Sequence, residues 1–198
     1  MPVAVARPTA YPSETILDGA RAIVLDSGAG SATVDAIARA SGAPTGSIYH
    51  RFASRDELLA RVWLRAVRRS QARFLAAIDR PDPVEAAVAG ALSILDFCRD
   101  EPEDARLLAA VRADDLLRAD VPEAVAHELA DVNRGLLRAV RRLSVALFGR
   151  RTDAALERTL LAVFDLPYGA ARRHLVAGAP LPRTLWGDLE RAVRAVIT

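Results

Sequence analysis

Apolar residues recur along this chain at intervals of three and four, and no stretch alternates convincingly between apolar and polar. That is the period of helices buried along one face, so the pattern predicts an all-α protein. Capping residues mark the boundaries. Ser13 is expected to cap a first helix through about Ser27, with Gly28 as a left-handed terminator. Thr33 should cap a short helix to Ala40. Ser41-Gly42-Ala43 then makes a turn, and Pro44 opens a third helix to about Phe52. Ser54-Arg55-Asp56-Glu57 reads as a capping box ahead of a long helix to about Ile78, with Leu58, Val62, Ala66, Phe74 and Ile78 on its apolar face. Asp82-Pro83-Val84-Glu85 starts the next helix, and Asp100-Glu101-Pro102-Glu103 and Asp120-Val121-Pro122-Glu123 repeat the device. After Asp120 a single long helix is expected, carrying Leu129, Val132, Leu136, Val140, Leu143 and Leu147 to a stop at Gly149. Thr152 caps another to about Val176, with a bend at Pro167. Pro180 and Pro182 precede a last helix bearing Leu185, Trp186, Leu189, Val193 and Val196. The pattern thus predicts about nine helices, three short and then six mostly longer.

Composition narrows the chemistry. With 198 residues, 52% of them hydrophobic, the chain can bury a core without disulfides or metals. Aromatics are only 5%, so that core is mostly Ala, Leu and Val, which suit helices. A single cysteine, Cys98, excludes an intramolecular disulfide and fits a reducing compartment. The start, Met1 to Pro8, has no long apolar segment, and no run of about 18 apolar residues occurs anywhere. A cytoplasmic protein without a membrane span is expected. All 27 basic residues are arginine. Without lysine there is no Walker-type phosphate loop and no Schiff-base nucleophile. The formal charge of +2 is too small to imply nucleic acid by itself, so any such footprint must be local.

One local footprint is present. From Ala36 to Arg55 there is no acidic residue, while Arg39, His50, Arg51 and Arg55 fall within the window. A helix that approaches a phosphate backbone needs that asymmetry. Pro44-Thr45-Gly46-Ser47 supplies small groups and two hydroxyls at the start of the third helix. Ile48 and Phe52, four apart, should point inward, leaving Tyr49 and Arg51 toward DNA and His50 toward the groove edge.

Residues 16 to 59 read ILDGARAIVLDSGAGSATVDAIARASGAPTGSIYHRFASRDELL. This segment strongly resembles the DNA-binding head of the TetR family of bacterial regulators. The resemblance runs from the Ile-Leu-Asp helix through Thr-Val-x-x-Ile-Ala and Gly-Ser-Ile-Tyr-x-x-Phe to Ser-Arg-Asp-Glu-Leu-Leu. It implies a three-helix head over residues 1–53 and a larger helical ligand-binding and dimerisation domain over 54–198. It also implies that the third helix enters the major groove. Thr33 matches a phosphate-touching position. Thr45, Gly46 and Ser47, just after the candidate Pro44, match the base-reading start of the recognition helix, and Tyr49 its phosphate-binding tyrosine. His50 and Arg51 match adjoining groove-facing positions, and Arg55 stands where a phosphate-contacting lysine is usual. Two residues depart from the pattern: Val24 replaces a frequent phenylalanine, and Thr45 a frequent basic or amide side chain. By resemblance the protein is a homodimeric repressor. It pairs through its last two helices, binds a roughly palindromic operator, and responds to a small apolar or amphipathic effector without cofactor or metal. The runner-up is a helical small-molecule- or partner-binding protein that keeps the head without regulating transcription through DNA.

Other features weigh less. Arg61, Arg65, Arg69 and Arg73 form an i, i+4 stripe that is expected to be a solvated face, as are Arg134, Arg138 and Arg141. Asp165 lies in the apolar run Leu160 to Tyr168 with no basic residue three or four positions away. It is a polar anchor in a ligand cavity with Phe164 and Tyr168, a dimer contact, or an exposed acid beside a proline bend. Phe97 and Asn133 are further candidates for the pocket, and for plain core. The three histidines, His50, His127 and His174, are too scattered for a metal site. No nucleophile–base pair nominates an enzyme, and Cys98 is expected to be a buried thiol.

Overall fold

The computed structural model describes residues 11–117 and 119–198, so the reading of Met1 to Pro8 and the expected start of the head at residue 1 lie outside it. Every regular element among the described residues is helical. The head comprises α1 (Ser13–Ser27), α2 (Val34–Ser41) and α3 (Thr45–Tyr49), with a 3-10 turn at Ala29–Ser31. The connecting helix α4 (Arg55–Ala77) leads to α5 (Pro83–Asp100), α6 (Pro102–Ala110) and the short α7 (Ala113–Leu117). The rest is α8 (Glu123–Asp131), α9 (Arg134–Phe148), α10 (Asp153–Leu160), α11 (Leu166–Ala177) and α12 (Thr184–Ile197).

Several expectations about the helix ends change. Ser13 is the first residue of α1, and the cap position before it is Pro12, without a side-chain bond. Gly28 does take a positive φ of 81°, but with ψ at 162° it extends the chain rather than curling it into a left-handed cap. The acidic caps do not repeat: Asp82 accepts from the N–H groups of Val84 and Glu85, whereas α6 and α8 begin without a side-chain cap. Asp100 is instead spent on arginines, Arg73 at 2.8 Å and Arg99 at 2.7 Å. The single long helix expected after Asp120 is two, α8 and α9, separated at Val132–Asn133. The apolar stripe runs across the break because each half turns its own leucines inward. At Pro167 the chain does not simply bend. A π-turn spans Leu161–Asp165, and the Leu166 N–H bonds back five residues to the Leu161 carbonyl. Proline, with no N–H, could not continue the α ladder there, and the wider turn absorbs the mismatch.

Three apolar clusters meet along α4. Its first turns give Leu58, Val62 and Ala66 to the head core of Ile16, Leu17, Ala20, Val24, Ile37, Ile48 and Phe52. Its middle packs Trp63, Leu64 and Val67 against Leu116, Val125 and Leu129. Its end puts Phe74 into the body core with Leu95, Val140, Val163 and Val193. Each fully buried Ile or Leu contributes about 1.5–3 kcal/mol, more than the roughly 1 kcal/mol of a typical cap. Packing therefore holds α3, which is far too short to persist alone.

Candidate functional site

The Thr33 hydroxyl oxygen accepts the Ala36 N–H at 3.2 Å and starts α2, leaving the residue exposed. Gly42, at φ 69°, closes α2 in the left-handed conformation and turns the chain into α3. Ser41 packs close against α1: a methyl added to Gly19 would meet the Ser41 backbone nitrogen at 3.1 Å. This glycine, inside a helix, went unnoticed in the sequence because no turn signal surrounds it.

Burial of Ile48 and Phe52 fixes the roll of α3 and its following turn. Tyr49 is 54% exposed, His50 and Gly46 are exposed, and Thr45 and Ser47 are half-buried. Arg51 folds back, donating to the Ser47 carbonyl at 2.8 Å. Gly46 has neither a positive φ nor any atom within 4 Å of where a Cβ would stand. Nothing inside the fold requires glycine there, so the free space belongs to the outer surface of α3.

Arg55 is engaged within the chain. Its guanidinium donates to the carbonyls of Ala32, at 2.9 Å, and Ala29, and pairs with Asp56 at 2.8 Å. It thereby braces the turn that presents Thr33. The capping box is also modified: Ser54 accepts the Glu57 N–H at 3.0 Å, but the Glu57 carboxylate reaches past the cap to the Ala53 N–H at 2.7 Å.

The body contains a second candidate site, a cavity of about 310 Å³ between α4, α5, α6, α9, the π-turn and α11. Phe97, Phe164, Asp165 and Tyr168 all line it, together with Phe74, Ile94 and Leu136. Phe74 and Phe164 stack with centroids 4.9 Å apart and form a continuous aromatic wall. Asn133 stands apart at the exposed α8–α9 junction, where its side-chain oxygen accepts from Gln71, itself a lining residue, at 2.9 Å. Ser70 and Gln71 complete the polar lining and carried no sequence signal. Cys98 also lines the cavity, and burial pushes its thiol up to about 11.

Residues 16–62 match the family model for bacterial regulatory proteins of the tetR family. The head is a TetR-family head. No curated relative matches the chain. Over nearly the whole chain the fold is that of solved regulators. The fatty acid degradation regulator FadR from Bacillus halodurans is 16% identical with a TM-score of 0.69, covering 92% of this chain and 98% of its own. A transcriptional regulator from Rhodococcus sp. RHA1 is 24% identical with a TM-score of 0.66, covering 93% and 95%. The multidrug binding protein EbrR, complexed with imidazole, is 19% identical with a TM-score of 0.58, covering 94% of each chain. This protein therefore has the fold and the N-terminal domain of TetR-family transcriptional regulators.

The arginine stripe of α4 joins the TetR-family head to the body, and it is not the solvated face its spacing suggested. Arg65 pairs with Glu14 and Asp18 of α1, both at 2.7 Å, and its side chain is only 10% exposed. Arg61 reaches Glu128 of α8 at 2.7 Å, and Arg69 reaches Asp104 of α6 at 3.0 Å. Asp104, 1% exposed, also pairs with Arg21 of α1. Burial works against the charge of Arg21. The hydrogen bond to Asp104 and the neighbouring carboxylates of Asp104, Glu103 and Asp18 outweigh it and raise its pKa. These partners lie 35 to 83 residues away in sequence, which is why periodicity could not reveal them.

Proposed function

We propose that the protein is a homodimeric, ligand-responsive repressor that reads a roughly palindromic operator with α3. Gly46 carries the reading: it is a glycine the fold itself does not need, at the start of a helix whose outer face has hydroxyls, a tyrosine and no acid. Thr45 and Ser47 read base edges beside it, Tyr49, His50 and Thr33 face the backbone, and Arg51 supports the adjoining turn. Arg55 holds the α1–α2 turn in place for Thr33, and its charge lies at the phosphate side of the head.

The cavity supports the second half of the proposal. Helix α6 touches both the cavity and the head: Ala105 and Leu108 line the cavity, while Leu107 belongs to the head core and Asp104 holds Arg21 of α1. An effector need only favour a placement of α6 that the DNA-bound spacing does not allow. For dimerisation, the π-turn and α11 leave Leu161, Tyr168 and Val176 exposed, the last at 68%. Trp186 is not part of that face, since its indole N–H donates to Asp96 at 2.9 Å.

The test is selection of duplexes from a random-sequence library by the full chain, with sequencing of the enriched pool. The expected result is a motif with two symmetric half-sites. A pool no more ordered than that of Tyr49→Ala would overturn the reading in favour of a binding protein that retains the head alone.

A further inference from the structure

The cavity's electrostatic lining names a ligand class, an inference that rests on the effector reading above. Among the described residues, no arginine and no histidine lines the cavity, in a chain whose basic residues are all arginine. Ser70 and Gln71 on its α4 wall are flanked by Arg69 and Arg73, but those guanidiniums are committed to Asp104 at 3.0 Å and Asp100 at 2.8 Å. The polar groups that do face the space are Ser70, Gln71, Tyr168, the neutral thiol of Cys98 and one carboxylate, Asp165.

Asp165 stands at the end of the π-turn, exposed at the cavity rim. The Asp165 carboxylate makes no hydrogen bond or ion pair with any described residue. That contrasts with the acids of the α4 seam, nearly all of which hold arginines. Beside it are Phe164, stacked on Phe74, and Tyr168 one turn further along. Aromatic faces and a free carboxylate around an apolar space attract one kind of guest, an organic cation on an apolar body. A carboxylate or phosphate guest would meet Asp165 with no compensating positive charge. π-Turns are over-represented at functional sites, and this one delivers both Phe164 and Asp165 to the cavity.

We infer that the effector is a small lipophilic monocation, its apolar body between Phe74, Phe97, Phe164 and Leu136 and its charged end at Asp165 and Tyr168. Three ten-carbon probes separate charge from hydrophobicity: decylammonium, decanol and decanoate, each titrated into the full chain below its aggregation threshold. Decylammonium should bind about tenfold more tightly than decanol, the sum expected of one partly exposed ion pair and a cation–π contact. Decanoate should bind more weakly than decanol. Asp165→Asn should reduce the cation's advantage to less than about threefold and leave decanol unchanged, while Asp165→Glu restores it. Decanoate binding as tightly as decylammonium, or a preference that survives Asp165→Asn, would overturn the inference. Leu136→Trp, which fills the cavity from a half-buried wall position, separates the two levels of the claim. If all probes lose binding in that variant but show no charge preference in the native chain, only the cation inference fails. If decylammonium and decanol bind the folded Leu136→Trp variant unchanged, the cavity reading fails with it.

Discussion

Three residues show how far side-chain chemistry can be traced to its setting. Gly46 faces open space, so Gly46→Leu should leave the melting temperature nearly unchanged yet weaken DNA binding more than about tenfold, the effect of a side chain driven into a groove. Gly19 is the opposite case. Its added methyl would press on the Ser41 backbone, and Gly19→Ala should destabilise the head by up to about 2 kcal/mol after the helical gain of alanine over glycine is offset, measured by thermal unfolding. Cys98, with its thiol pushed up to about 11, should react with a disulfide reagent at pH 8 about a hundredfold more slowly than the unfolded chain. Its rate should then climb through pH 10. At this scale the sequence was readable wherever a neighbour lies within one turn. The inward pair Ile48 and Phe52 and the cap at Thr33 follow from local spacing. The burial of Arg65 does not, because Glu14 and Asp18 are 51 and 47 residues away.

At the scale of elements, α4 is where the molecule is joined, by apolar contact on one side and ion pairs on the other. Asp104 is the critical acid, because two guanidiniums from different helices converge on a carboxylate closed off from water. Asp104→Asn should cost about 2–4 kcal/mol, the loss expected when one partner of a buried cluster is removed. Acid should act on the outer pairs. Hydrogen bonds from Arg61 and Arg68 hold the Glu128 carboxyl below its usual value of 4.5. Its folded pKa is depressed, so its contribution is present above that value and is lost as pH falls through the folded pKa. Hydrogen-exchange protection across Glu123–Asp131, corrected for the intrinsic rate at each pH, should fall below about pH 4.5, and Glu128→Gln should reproduce the change at neutral pH with a loss below about 1 kcal/mol. The order of helices was legible because caps and prolines punctuate it. The break at Val132–Asn133 was not, since neither glycine nor proline marks it and the apolar spacing runs straight through.

For the whole molecule, the head declared itself through an ordered motif, whereas the body declared only its helical period. Its cavity is assembled from α4, α5, α6, α9, the π-turn and α11, and no local window contains such a set. The same holds for the proposed dimer face. Leu161→Asp with Val176→Asp should convert a dimer into a species near the 21.3 kDa chain mass in sedimentation equilibrium, with helicity retained. Helix α3 is the reading helix of the proposed repressor. The most direct test of that role is fluorescence anisotropy of the native chain, Thr45→Ala and Tyr49→Ala on the selected operator and on a scrambled duplex. Tyr49→Ala should weaken both duplexes alike, and Thr45→Ala should weaken the operator by about 1–3 kcal/mol while sparing the scrambled duplex. Native affinity for both duplexes in both folded variants would contradict the account.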